Sequence, residues 1–327
     1  MRQTLLALAL LTSLAACQKA ESPTAPATDG QATAAAVSAA DAAFTDLSAR
    51  ALEGWFQLSP VSATQIGDHR FDGELDDLSE GGRARGLEFS QNLLAELQAL
   101  DVAALSRENQ VDAAILRNQL QYDIWNAQTL QGWAWDPQLY SGLAGQAIYG
   151  LMAREFAPLP ERLKSATARM QKIPALLAQA RANLDPARVP KVHAETVARQ
   201  NAGVLGIVDT FITPHLDQLD PADRQQAQAA IDGLKTAVAE HQKWLDETLV
   251  PNAKGEFRVG AEVYDQKLQF ALLSSLSRAE IKQRAEAELV RVRGEMYAIA
   301  QQVLKDTAGA PQLPDNPSPQ QQQKAIE

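Results

Sequence analysis

The chain has 327 residues, a formal net charge of −10, four histidines and a single cysteine. An acidic surface argues against nucleic acid and against direct adhesion to anionic lipid. One cysteine excludes an internal disulfide and a cysteine-ligated metal site, and the length suffices for one large core or for half of a bigger one.

The first residues read MRQTLLALALLTSLAACQKAES. Arg2 is a short positive region, and Leu5 to Leu14 form an apolar run too short to span a bilayer as a permanent helix. Leu14-Ala15-Ala16-Cys17 resembles a bacterial lipobox. The resemblance implies a signal peptide over residues 1–16 and a mature chain that starts at Cys17, carrying a diacylglycerol thioether and an N-acyl chain (palmitate). Several acyl chains, at roughly 0.8 kcal/mol per buried CH₂, hold a protein stably at a membrane. Gln18, in place of Asp, points by lipoprotein sorting to the outer membrane, facing the periplasm. Removing Arg2 takes the net charge from −10 to −11. Residues 17–40 are Ala, Thr, Ser and Pro with almost nothing bulky, the composition of a flexible tether.

From Asp41 the pattern is helical, with Phe44, Leu47, Ala51, Trp55 and Leu58 at three- and four-residue steps. Ser59-Pro60 stops this helix. A polar loop, GDHRFDGELDDLSEGG, follows from Gly67 to Gly82. Leu87, Leu94, Leu97 and Leu100 mark a second helix, and Val111, Ile115, Tyr122 and Trp125 a third. A Gly- and aromatic-rich segment interrupts from Trp133 to Gly150. The next helix opens at Pro160-Glu161 and carries Leu163, Met170 and Leu177, with a kink expected at Pro174. Val197, Val204, Ile207 and Phe211 follow. Asp220-Pro221 opens a helix through Ile231, Leu234, Val238 and Leu245, and residues 251–260 form a turn. In the last long helix Ser277 and Glu280 have the spacing of a capping box. Leu289, Val292, Met296, Ile299 and Val303 form its stripe, with Glu280–Arg284 and Arg291–Glu295 placed as supporting ion pairs. Ser318 and Pro319 open a final short helix. No alternating strand and no internal repeat is found. The fold class is all-α, an elongated multi-helix array over residues 41–327.

The chemistry-bearing motifs are scarce. No two of His69, His193, His215 and His241 are four apart, so the zinc-peptidase pattern H-E-x-x-H is absent. His193-Ala194-Glu195 has the deaminase H-x-E form without the cysteine pair that form needs. A G-x-S-x-G elbow, a phosphate loop and a dinucleotide fingerprint are all missing. The Gly67–Gly82 stretch concentrates one histidine and six acids. It admits three readings: a divalent-ion site, though not with calcium-loop spacing; a solvated turn; or a structured, partly buried corner in which His69 and Arg70 pair with carboxylates. Trp133, Trp135 and Tyr140 could line a cleft or sit in the core.

"LSPVSATQIGDHRFDGELDDLS", "ARVPKVHAETVARQ" and "RVGAEVYDQKLQF" followed by "SRAEIKQRAEAELVRVRGEM" together resemble, in order and spacing, the bacterial "domain of unknown function 885" family over roughly residues 41–305. The resemblance implies an all-helical fold related to the gluzincin peptidases, with a cleft between two helical halves. It also implies a zinc motif in the second half, and no position here matches that motif. The expectation is therefore an N-terminal half with no catalytic or metal residue of its own. Zinc is expected only if a C-terminal half exists, and a peptide is the expected substrate or ligand. Asp68, His69, Arg70, Trp135 and Tyr140 are the candidate cleft residues. The alternative is a non-catalytic, lipid-tethered helical binding module of the cell envelope. An incomplete fold should leave the Leu289–Val303 and Trp55–Leu58 stripes exposed.

Overall fold

The computed structural model describes residues 38–310 and 316–327. The signal segment, the lipidation site Cys17 and the tether as far as residue 37 lie outside the described residues. The remainder is all-α: the described residues contain no strand, and one isolated bridge joins Pro190 to Gly255.

Helix α1 spans Ala39–Leu58, and the Ser38 side chain caps it by accepting from the Asp41 N–H at 2.9 Å. Pro60 does end α1, but it also opens α2 (Pro60–Ile66), because proline at a first helical position gives up an N–H that would go unpaired anyway. Gly67, at φ 99°, closes α2 in the left-handed conformation that glycine adopts without steric penalty. The acidic loop follows, then α3 (Glu80–Ala99) and α4 (Arg107–Trp125). These two pack with α1 around Phe44, Leu47, Leu93, Leu97 and Leu120.

The stripe expected on α4 turns out to lie on the wrong face. Val111 and Ile115 are 42% and 46% exposed, while Ala113, Leu116 and Leu120 are buried. Only the end of that stripe is covered, where Tyr122 and Trp125 meet Phe270 at 5.9 and 5.5 Å between ring centroids.

The Trp133–Gly150 segment, expected to interrupt the helices, is mostly helix α5 (Gln138–Met152). Its glycines allow close packing; a Cβ on Gly145 would lie 3.5 Å from Ile207. α5 joins the larger core with α6 (Leu159–Asn183), α7 (Lys191–Gln200), α8 (Gly203–Phe211) and α9 (Pro221–Trp244). α6 continues through Pro174 as one helix and buries ten of its residues, among them Leu163, Met170, Ile173 and Leu177. It packs against α5 on one side and α9 on another.

A single turn, α10 (Val250–Asn252), leads to α11 (Ala261–Leu272), α12 (Arg278–Lys305) and α13 (Pro319–Ile326). The Ser277–Glu280 and Ser318–Gln321 capping boxes both form. From Ala261 onward, Tyr297 is the one buried residue among those described.

Candidate functional site

The acidic loop is a corner knitted onto α6. At its centre is the fully buried guanidinium of Arg169. Its Nε donates to the Glu74 carbonyl at 2.8 Å, one terminal nitrogen to the Ala147 carbonyl at 3.0 Å, and the other to the Pro60 carbonyl at 3.1 Å and Thr64 Oγ1 at 2.7 Å. One side chain thus ties α2, the loop and α5 to α6. Burial lowers the Arg169 pKa, an effect opposed by the charges of Asp72, Asp76 and Glu74. A buried cation is tolerated only when it is well hydrogen-bonded, and here each of its three nitrogens donates to an oxygen.

From Arg169 a polar chain runs outward. Thr64 Oγ1 donates to Asp72 Oδ1 at 2.6 Å, and Asp72 Oδ2 lies 3.0 Å from His69 Nδ1. The His69 ring stacks on Phe156 with centroids 3.6 Å apart and planes 9° off parallel. A carboxylate at Nδ1 selects the tautomer protonated there, which leaves Nε2 as an acceptor. Arg70 is gripped by Asp68, at 3.0 and 2.6 Å, and by Glu53 of α1 at 2.8 Å. The Arg70 hydrogen bonds hold the Asp68 carboxyl below its usual range. Asp76 faces inward. Its carboxylate accepts from the Val61 N–H at 3.1 Å, near the start of α2, and burial pushes its pKa up to about 6. Further along, Lys172 donates to the Gly73 carbonyl at 2.8 Å, Gln179 accepts from the Leu78 N–H at 2.9 Å, and Asn183 donates to the Leu78 carbonyl at 2.7 Å.

Of the three readings open to this stretch, the structured corner is the one observed. Asp68, His69 and Arg70 do come together. Trp135 and Tyr140 do not join them. Tyr140 is 1% exposed, donates to the Trp133 carbonyl at 2.7 Å and accepts from Asn183 at 3.0 Å. Asn183 and Arg169 sit on one helix, about 21 Å apart at roughly 1.5 Å per residue. Trp135 donates to the Leu130 carbonyl at 2.8 Å and lies beside His193, with ring centroids 6.1 Å apart. Tyr140 is therefore core, and Trp135 lies beside His193 of α7 rather than in the His69 corner.

Sequence reasoning missed Arg169, although a signal existed: it sits beside the apolar register of Leu163, Ala166, Met170 and Ile173, on the buried side of α6. Asp123 was also missed. Burial raises its pKa to about 6, and it accepts from Gln119 at 2.8 Å. Beside Arg70's partner Glu53 runs an open groove of about 550 Å³ between α1 and α3, lined by Arg50, Gly54, Arg85 and Phe89. A smaller recess of about 170 Å³ lies between Lys164 of α6 and Asp223 of α9.

Among the described residues no three His, Cys, Asp or Glu side chains converge as metal ligands. The histidines have separate neighbours: Asp72 for His69, Trp135 for His193, Gln218 for His215 and Trp244 for His241. Among the described residues, then, no set of side chains that would hold zinc is brought together.

An all-helical array with a loop locked onto a buried arginine is the class of protein this fold defines. Residues 60–325 match the family described as "Bacterial protein of unknown function (DUF885)", and the chain belongs to that family. The fold is similar to that of a solved protein from Shewanella oneidensis described as a "putative lipoprotein of unknown function". The two are 28% identical, with a TM-score of 0.71 over 86% of this chain. The chain spans about half of that protein, 51% of its length. No curated protein matches the chain.

Proposed function

We propose that this chain is the N-terminal helical half of a lipid-anchored envelope protein related to the gluzincin peptidases. In this reading it supplies one wall of a cleft and the tether, while the metal-binding and hydrolytic residues lie outside it. The observation that carries the reading is the pairing of a close architectural match with a coverage of only 51% of the matched protein. The anchor rests on the Leu14–Cys17 lipobox and on the description of the Shewanella relative as a lipoprotein. Cys17 is the lipidated residue, and Gln18 directs the protein to the outer membrane.

Within this half, His69 is the group best placed to face a ligand. It is held by Asp72 and Phe156 and is partly open to solvent, as is the neighbouring Asp68–Arg70–Glu53 set. A rigid imidazole with a free Nε2 can accept a hydrogen bond from a peptide N–H. Tyr140 and Trp135 take no part.

The test uses the full chain expressed with its leader in a bacterial host. Most of the protein is expected in the membrane fraction, with Cys17→Ala releasing it to the soluble periplasmic fraction. The purified chain, supplied with zinc, is expected to cleave no peptide. Zinc-dependent, chelator-sensitive peptide hydrolysis by these residues alone would overturn the proposal.

A further inference from the structure

We propose that the open face of α12 is an interface that docks an aliphatic helix from the half of the fold this chain does not span. The inference rests on the functional reading above and adds to it the surface through which the halves meet. Leu289, Val292, Met296, Ile299 and Val303 are spaced 3, 4, 3 and 4 residues apart, the repeat that keeps one seam facing a partner helix. Leu289, Ile299 and Val303 are 56%, 61% and 60% exposed, and Met296 is open as well.

A 28-residue helix with such a seam is not expected to leave it in water. α6, of similar length, buries ten residues, whereas α12 buries only Tyr297. The neighbouring stripe is already occupied: Arg293 donates to Gln323 of α13, and Tyr297 lies one turn further on. The uncovered seam is thus a second face of α12. The open surface also extends beyond α12. Leu273, which ends α11, sits at φ 47° with most of its side chain exposed, and Leu272 beside it is also exposed. A leucine in the left-handed region carries backbone strain, and this one also turns most of its side chain to solvent. The occupant is identified by length. The matched Shewanella protein is about twice as long as the part this chain spans, so a comparable amount of fold is available to cover the seam.

Two measurements test this. In the solved Shewanella protein, the positions equivalent to Leu289, Ile299 and Val303 should be buried by residues outside the matched part; finding them in solvent would overturn the proposal. This 327-residue chain, carrying Cys17→Ala so that no acyl chain contributes, should sediment as a monomer and bind a hydrophobic dye. Leu289→Asp with Ile299→Asp should lower the dye signal severalfold without moving the melt. Three results would overturn the proposal: a dimer that Ile299→Asp converts to monomer, which makes the seam a self-interface; no dye uptake by the unaltered chain; or loss of binding to phosphatidylglycerol vesicles in Ile299→Asp. Stoichiometric metal in this chain would sink the functional reading while leaving these outcomes untouched, so the two failures are separable.

Discussion

Arg169 concentrates the stability of the His69 corner in one side chain. Removing it strands the carbonyls of Pro60, Glu74 and Ala147 and the hydroxyl of Thr64. Breaking a buried ionic network from one side costs about 3–5 kcal/mol. Arg169→Met should therefore lower stability by about that much in chemical denaturation. Lysine should rescue little, since one ammonium cannot reach a fork of acceptors. Two other buried groups set an opposed pair of pH dependences. His241 stacks on Trp244, and burial together with the Arg181 charge lowers its pKa to about 4. Its stabilising contribution is complete above the unfolded value near 6.5 and is lost as pH falls toward 4, because only the unfolded chain takes up the proton in that window. Asp76, raised to about 6, works the other way: between pH 6 and the usual carboxylate range the folded chain binds the proton more readily, so acidification stabilises it. His241→Leu should flatten the acid-side loss of melting temperature. Asp76→Asn should melt higher than the unaltered protein at pH 7 and lose that advantage below pH 5.

At the scale of elements, the features legible in the sequence were the local ones. The α12 capping box, the α13 start at Ser318-Pro319 and the α6 start at Pro160 all form, because a cap needs partners only three residues away. The loop could not be resolved the same way. The Arg169–Glu74 contact closes 95 residues of sequence, and a polar run does not announce a distant cation. α5 was hidden by its glycines, which usually break helices but here let α8 approach. The α4 stripe misled because two β-branched residues, Val111 and Ile115, outweighed in pattern the smaller Ala113 that faces the core. Two glycines at the α3 entrance make a sharp comparison. A Cβ on Gly82 would fall 2.1 Å from the Asp77 carbonyl oxygen, whereas on Gly81 it meets nothing closer than 3.5 Å. Gly82→Ala should destabilise by about 1–3 kcal/mol, and Gly81→Ala should be neutral or slightly stabilising. Ser277→Ala removes a cap on a nearly unpacked helix. It should cost about 1 kcal/mol locally, seen as faster amide exchange in the first turn of α12 while the global melt stays put.

The whole described molecule has two cores of unequal weight, one of α1, α3 and α4 and one of α5 to α9. The corner loop joins them, with Leu75 and Leu78 packing on the larger core and Arg70 reaching α1. Residues 38–260 should accordingly unfold in one transition, and amides of α12 and α13 should exchange well before those of α6. The all-helical class and the family were readable from residue patterns alone, because amphipathic periodicity and the three quoted segments survive without long-range information. The candidate site was readable only in part, since Asp68, His69 and Arg70 cluster by sequence adjacency while Tyr140 was placed by burial that no spacing reveals. The proposed role of these residues is a helical wall whose metal-binding partner residues lie elsewhere. It is tested most directly by counting zinc bound to the full chain after dialysis from a zinc-containing buffer. Far less than one zinc per chain is expected; one zinc per chain, retained on dialysis and lost in His69→Ala, would overturn that role.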